Sequence, residues 1–550
     1  MRRSSISIAT LVIMAAVLVL PLSVAAAGNV RAAQEFTPIV FVHGSFGSAT
    51  QFESQALRFA SNGYPADLIS AYDYDTSVSL DDNQAEVLAG LDAHIDAVLA
   101  ATGADKVYAL GHSRGTRVMH LYLADAGHAA KVAKYVNIDG QTSAAPPGGV
   151  STLALWAGTG TPGREITGAT NVTIPDQTHV QVASSPESFL EMYRFFTSEE
   201  AATSNILPEP QDQVKIAGRA VYFPQNTGVA GGTLQMWEVD RATGRRIKEE
   251  PEQSIVLGAD GAWGPWSALG GHSYEFVILR EGFRPHHFYS EPLIRSDYLV
   301  RLNTSPAGGI ADLLTQGDAH SVLVLTRDKE FFANEPGNSD TLRVNGTTLV
   351  GEDACPIERS KVAIFVYDSP ADGSIPGTPD GISDITEPNW IHAISFLTGI
   401  DFVIPAADPP DETISVELAP RGGGAAQVVN CPNFASSQQA ISIRFNDFPY
   451  DYNTMWYLAE GATAGDFETW VLVQNPGTEA VTVDLTFMTG SGPVAGPQDV
   501  EIAGGSRMSF NADLYVTDYD VSTKVEATGA VICERAVYGG NRTWAHDSIG

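Results

Sequence analysis

Basic residues are scarce in this chain: 32 Lys and Arg stand against 65 Asp and Glu, a formal net charge of −33. Binding to nucleic acid needs clustered cations against the phosphates, so this balance argues against it and fits a soluble, secreted protein. Cysteine is nearly absent. Cys355, Cys431 and Cys533 leave one odd thiol and show no metal-ligand spacing. Cys355 and Cys431 could pair within one domain, and the sequence leaves that open. After the N-terminus no segment is long and apolar enough to span a bilayer.

The N-terminus itself is the exception. Arg2 and Arg3 precede an uncharged apolar stretch from Ile6 to Val19, Pro21 breaks it, and "SVAAAG" supplies small residues suited to cleavage. That is the pattern of a secretory signal peptide over residues 1–27, and it predicts a secreted product. A membrane anchor fits less well, because the small-residue site follows at once and no basic flank does. The remaining length is enough for roughly three to four domains.

From Gln34 to about residue 202, strands and helices alternate. "TPIVFVHG", "ADLISAYDY", "KVYALG", "KYVNIDG", "STLALWAG" and "ATNVTIPD" read as strands. "QFESQALRFASNG", "DNQAEVLAGLDAHIDAVLAATG", "RGTRVMHLYLADA" and "SPESFLEMYRFF" read as helices. The alternation predicts an α/β fold, a mainly parallel sheet with helices on both faces. After "LPEPQDQ" short alternating strands separated by turns predict all-β sandwich or barrel domains. Expected boundaries are a β-sandwich over 203–296, a β-rich domain over 297–448 and a C-terminal β-sandwich module over 449–550.

Within the first region stands "GHSRG", with Ser113 between Gly111 and Gly115. A nucleophilic serine on a sharp strand-to-helix turn needs such neighbours, since side chains two residues away would collide. In so glycine-rich a chain the pentapeptide alone is weak, but a strand precedes it and a helical pattern follows. "GGHSYEFV" is a decoy: Ser273 lacks the second glycine and precedes a strand, so it reads as structural.

A serine hydroxyl needs a general base, and the base needs an acid to set its tautomer. The expected chain order is serine, acid, histidine, with the histidine between the last strand and the last helix. His179 in "IPDQTHVQ" meets that condition; His43, His94, His112, His120 and His128 precede the serine or lie too near it. The loop "TGTPGR" has no carboxylate before Glu165, so the acid is expected one strand earlier, at Asp139 in "NIDG". An Asx turn is the plainer reading of Asp139, with Glu165 and Asp176 as substitutes. Two backbone N–H groups should face the oxyanion: that of Arg114, and that of Ser45 in "HGSFGS", with Phe46 as its rival.

These segments resemble the lipase and carboxylesterase family of α/β-hydrolases, most closely secreted archaeal lipases with a C-terminal β-barrel lipid-binding domain. "FVHGSFGSATQFESQALRFASNGYPA", "ADKVYALGHSRGT", "AAKVAKYVNIDG", "TNVTIPDQTHVQVASSPESF" and "HHFYSEPLIRSDYLVRL" carry the likeness. It spans residues 36–330, and more loosely the β region to about 448. The resemblance implies a triad at Ser113, Asp139 and His179, and a β domain that helps to bind lipid and suits long acyl chains. Two departures are visible. Only "DYDTSVSLDDNQAEV" stands where such lipases carry a long helical lid, which argues against interfacial activation. Arg114 replaces an apolar or amide residue, and its guanidinium is expected at the pocket mouth.

Other features have a plain reading beside a sharp one. His286 and His287 are adjacent, and on a strand they point to opposite faces, so packing is expected rather than a metal site. Asp368, Asp372, Asp380 and Asp384 could offer oxygens to calcium but lack regular ligand spacing, so a solvated turn is expected. Trp390, Phe396 and Phe402 could line an acyl groove, with core packing as the alternative. The reading is therefore a secreted serine hydrolase of carboxylic esters, with no metal or other cofactor expected. Its expected partners are lipid or another ester substrate, with a lipid interface that the β domains could contact, and not nucleic acid. Its rivals are a polyester or aryl-ester hydrolase with an open lidless cleft, and a non-catalytic secreted surface-binding protein.

Overall fold

The computed structural model describes residues 36–352, 354–392, 394–421, 426–446, 455–476, 480–527 and 531–549. The expected signal peptide lies outside the described residues. Among those described, no helix is long and apolar enough to cross a membrane.

The first region forms a six-stranded, wholly parallel sheet. Its strands are β1 (Ile39–Val42), β2 (Ile69–Tyr72), β3 (Val107–His112), β4 (Val132–Ile138), β5 (Ser151–Ala157) and β6 (Thr170–Ile174), in the order β2-β1-β3-β4-β5-β6. All four side chains of β1 are buried, as a strand covered on both faces requires. Alternate residues serve opposite layers. Val40 and Val42 pack with Leu91, Ile95, Val118 and Met119 of α2 (Leu80–Thr102) and α3 (Arg114–Leu123). On the other face Phe41 stacks on Phe52 at 4.8 Å, and Phe59 of α1 (Glu53–Ser61) meets Phe189 and Phe196 of the last helix, Pro186–Thr197. Gly103 ends α2 at φ 72°, where a side chain would be strained.

The β region builds larger sheets. Here β7 (Lys215–Tyr222) pairs with the strands Ala262–Ser267 and Asp297–Thr304. A mixed eight-stranded sheet includes the strands Ser273–Leu279, His286–Ser290, Ala440–Phe445, Leu323–Ala333 and Ile357–Tyr367, in that spatial order. Strand pairing thus runs across position 296: Asp297 begins a strand bonded to β7, and His286–Ser290 lies parallel to Ala440–Phe445. The C-terminal module is two antiparallel sheets over a core that includes Val471, Val483, Leu485, Phe487 and Val525. Cys355, Cys431 and Cys533 are all buried free thiols, so the pairing considered for the first two is not formed.

Ionic contacts join the two halves. Asp73, just after β2, has a fully buried side chain; it accepts from Arg301 Nε at 2.7 Å, Arg219 Nη1 at 2.9 Å and the Ala49 N–H at 2.9 Å. Burial alone would raise its pKa, but Arg301, His43 and Arg219 outweigh that and hold it down at about 2. A depressed carboxyl stabilises above its unfolded pKa, and here that contribution is lost as pH falls from about 4 toward 2. Asp73→Ala leaves two guanidiniums without their shared partner and is expected to cost about 3–5 kcal/mol at neutral pH. Denaturant unfolding at pH 7 and pH 3 checks this: the deficit should shrink at the lower pH.

Candidate active site

Sterics shape the turn after β3. A side chain at Gly111 would stand 2.7 Å from the Gly115 carbonyl oxygen, and one at Gly115 would run into the carbonyl of Val42. Both glycines are therefore required by packing. Between them Ser113 sits at φ 53° and ψ −121°, a backbone conformation that ordinary residues avoid and that lifts its side chain clear of the sheet.

The Ser113 hydroxyl donates to His179 Nε2 at 2.9 Å, and His179 Nδ1 donates to Asp139 Oδ2 at 2.6 Å. Asp139 follows β4 at φ 43° and is 4% exposed. Its other oxygen accepts from the Ala157 N–H at 3.0 Å and Arg164 Nη1 at 2.8 Å. Burial pushes this carboxyl up, but the bonds from His179 and Ala157 and the charge of Arg164 more than offset it, so its pKa lies below the usual value. Arg164 is further held by the Gly140 carbonyl and lies 4.5 Å from the Trp156 ring centre. Neither substitute bonds to His179: Glu165 accepts from Thr167 Oγ1 at 3.1 Å, and Asp176 is exposed, while His179 Nδ1 is bonded to Asp139.

A second histidine braces the first. His112 Nε2 donates to the backbone carbonyl of His179 at 2.8 Å, while its Nδ1 accepts from Gln51 Nε2 at 2.7 Å. Burial, then the neighbouring His179, pushes its pKa down to about 3, which keeps it neutral in this relay. Gln51 Oε1 in turn accepts from the Gly44 N–H at 3.3 Å. The Phe46 N–H donates to Thr76 Oγ1 at 3.2 Å, whereas among the described residues the N–H groups of Ser45 and Arg114 have no protein acceptor. That favours Ser45 over Phe46 as the oxyanion donor.

The side chain of Arg114 departs from expectation. Its Nη1 donates to the Val78 carbonyl at 2.7 Å, its Nη2 reaches Asp75 O at 3.4 Å and Asn83 Oδ1 at 3.3 Å, and it lies 5.4 Å from the Tyr74 ring centre. The guanidinium therefore ties down the short loop before α2, and it is not part of the cavity wall.

Ser113 and His179 open onto a cavity of about 260 Å³. Its walls come from both halves of the protein: Phe46, Leu57 and Val180 on one side, Phe288, Val324, Phe365 and Phe396 on the other. Phe396 lies 6.3 Å from Phe46, ring centre to ring centre, so of the three aromatics considered for an acyl groove it is the one at the site. Trp390 and Phe402 pack against separate core clusters.

Among the described residues no group of three or more His, Cys, Asp or Glu is placed to hold a metal ion. His286 bonds to Thr304 and Ser442, and His287 to Glu275 and Gln439, on opposite faces of their strand. Asp368, Asp372 and Asp380 accept backbone N–H groups of their own loop. Ser273 itself is not part of the cavity wall, although its strand contributes Phe276 to it. Sequence reasoning misses Arg164, Gln51 and His112: in "TGTPGR" the residue that matters is the arginine and not a carboxylate, and His112 acts as a brace and not as the base.

Comparison with known proteins gives family matches over three parts of the chain. Residues 36–132 match the class 2 lipase family, 212–307 the lipase C-terminal domain, and 309–449 a further C-terminal domain family. Matches to a lipase family model in the first region and to a lipase C-terminal domain in the β region support an α/β-hydrolase of lipase type with C-terminal β domains. The class 2 lipase match contains Ser113 but ends before Asp139 and His179, so those two stand on geometry. Among solved structures, a predicted CIB-like hydrolase from Thermoplasma acidophilum is 16% identical, with 30% of this chain and 89% of that one covered and a TM-score of 0.24. The phospholipase PlaB from Legionella pneumophila is 10% identical, with 48% and 93% covered and a TM-score of 0.20. A search of curated proteins finds no match.

Proposed function

We propose that this chain is a secreted serine hydrolase of carboxylic esters with an apolar acyl group. The hydrogen-bonded line from Ser113 through His179 to Asp139, opening on a cavity with a largely hydrophobic wall, carries the reading. His179 Nε2 takes the Ser113 proton as Oγ attacks the ester carbonyl, and the N–H groups of Ser45 and Arg114 hold the oxyanion. Collapse expels the alcohol, which leaves with the proton from His179, and an acyl-enzyme remains on Ser113. Water then attacks the acyl carbonyl through the same histidine and releases the acid.

The apolar run and small-residue site at the N-terminus support export. Walls contributed from both halves favour a narrow acyl chain over a polymer in an open cleft. The serine's strained turn and the completed hydrogen-bond line favour an enzyme over a surface-binding protein.

The test is hydrolysis of p-nitrophenyl esters from acetate to palmitate, by the wild type and by Phe396→Ala. Wild type should prefer the longer chains. Losing part of an apolar wall worth about 1.5 kcal/mol should lower kcat/KM about tenfold for long acyl groups and little for acetate. No hydrolysis of any ester by folded wild-type protein would sink the proposal.

A further inference from the structure

The loop that carries His179 is gripped on both sides by a residue from the β region. Glu330, on the strand Leu323–Ala333 (here βh), is 1% exposed. Its Oε2 accepts from the Thr178 hydroxyl at 2.5 Å, and its Oε1 accepts from the Val180 N–H at 2.8 Å. The carboxylate thus holds the residues immediately before and after the histidine, across 152 and 150 positions of sequence.

The strand is locally reshaped where this happens. Pairing of βh with the strand Ile357–Tyr367 is regular up to Thr326 opposite Ala363, then resumes at Phe331 opposite Lys361. The intervening residues are bulged out of the ladder, a distortion that re-aims side chains. Three of them reach partners beyond that ladder. Arg327 pairs with Asp340 at 2.9 Å, Asp328 accepts from Arg444 at 2.7 Å, and Glu330 takes the histidine loop. Behind Glu330, Arg421 donates to its backbone carbonyl and to Asp340 Oδ2, and reaches Gln181 Oε1 at 3.4 Å.

We infer that Glu330 is a positioning residue for His179, so that the β region completes the active site and is not only a lipid-binding attachment. This rests on the reading of His179 as the general base. The His179 ring is set from three directions: Asp139 at Nδ1, His112 at the backbone carbonyl, and Glu330 at the two flanking residues. The first two belong to the α/β fold. Only the third depends on docking of the β region.

The test uses the full chain with Glu330→Ala, Glu330→Gln and Thr178→Val, reading kcat and KM on a p-nitrophenyl ester. Active sites are counted by the burst released from an organophosphate p-nitrophenyl ester. A displacement of about 1 Å at a reacting group can cost a hundredfold, so Glu330→Ala should lose about ten- to a hundredfold in kcat per titrated site, with KM little changed. Glutamine can still accept from Val180 and can donate to Thr178 Oγ, so Glu330→Gln should recover most of that loss. Thr178→Val removes one of the two bonds and should fall between; it carries the test alone if Glu330→Ala does not fold. A merely structural role would lower Tm and leave kcat per titrated site untouched, and a value within twofold of wild type for Glu330→Ala overturns the inference. So does a Glu330→Gln enzyme as impaired as Glu330→Ala, since charge rather than the paired bonds would then matter. If wild type gives no burst, or Ser113→Ala gives the same one, it is the reading of the site that has failed.

Discussion

Ser113→Ala is expected to lower kcat about a million-fold on any ester the wild type cleaves, with KM nearly unchanged. The size of the effect follows from what the alanine removes. The hydroxyl is both the attacking atom and the donor to His179 Nε2, so its loss leaves His179 and Asp139 with no proton to move. The N–H groups of Ser45 and Arg114 and the cavity remain, and these can still polarise a bound carbonyl toward water. Residual catalysis of about a thousandfold over solution is therefore expected, not zero. Stability should not suffer: alanine must still adopt the positive φ of 53°, but so does serine, and the flanking glycines keep their space. Steady-state assays at high enzyme concentration, with an organophosphate to block contaminating esterase, check the figure. Loss of less than about a hundredfold would mean that another nucleophile does the work.

The α/β half was open to sequence reading because its signals are local. Each strand is a short buried apolar run, each helix a separate amphipathic pattern, and the glycines around Ser113 meet backbone only a few residues away or on the neighbouring strand. Position along the chain pointed to Asp139 and His179, and the structure brings both within hydrogen-bond reach of one line with Ser113, since successive strands of a parallel sheet deliver their loops to the same edge. Side-chain direction was not legible. Arg114 turns toward Val78 and Asp75 because the short loop before α2 offers it carbonyls, and that loop conformation depends on contacts such as Thr76 N–H to Pro224 O. Glu330 was out of reach for a related reason. Its role exists only once a bulged strand of the β region docks on a loop 150 residues earlier. Pairing in the β region is equally nonlocal, with His286–Ser290 beside Ala440–Phe445, and no periodicity within either strand announces its partner.

The second large effect is that of Asp139→Asn, expected to lower kcat about ten-thousandfold while leaving the fold intact. The carboxylate has its two oxygens in different company. Oδ1 receives two donors, the Ala157 N–H and Arg164 Nη1, while Oδ2 receives one, His179 Nδ1. An asparagine has one oxygen, and two donors at the Oδ1 position hold it there. Its NH2 group then faces His179 Nδ1 and can only donate. The imidazole must accept at Nδ1 and carry its proton on Nε2, the atom that has to take the proton of Ser113. The neutral amide also removes the negative charge that would stabilise the imidazolium formed during attack. Because burial, His179, Ala157 and Arg164 together leave the Asp139 carboxyl below its usual pKa, it is ionised throughout the neutral range, and the loss should be uniform from pH 6 to 8. Combining the substitution with Ser113→Ala should add almost nothing, since residues that act as one unit are grossly non-additive. Asp176→Asn should leave kcat within about twofold, because an exposed side chain away from such features changes little. A mild defect in Asp139→Asn together with a severe one in Asp176→Asn or Glu165→Gln would reassign the acid.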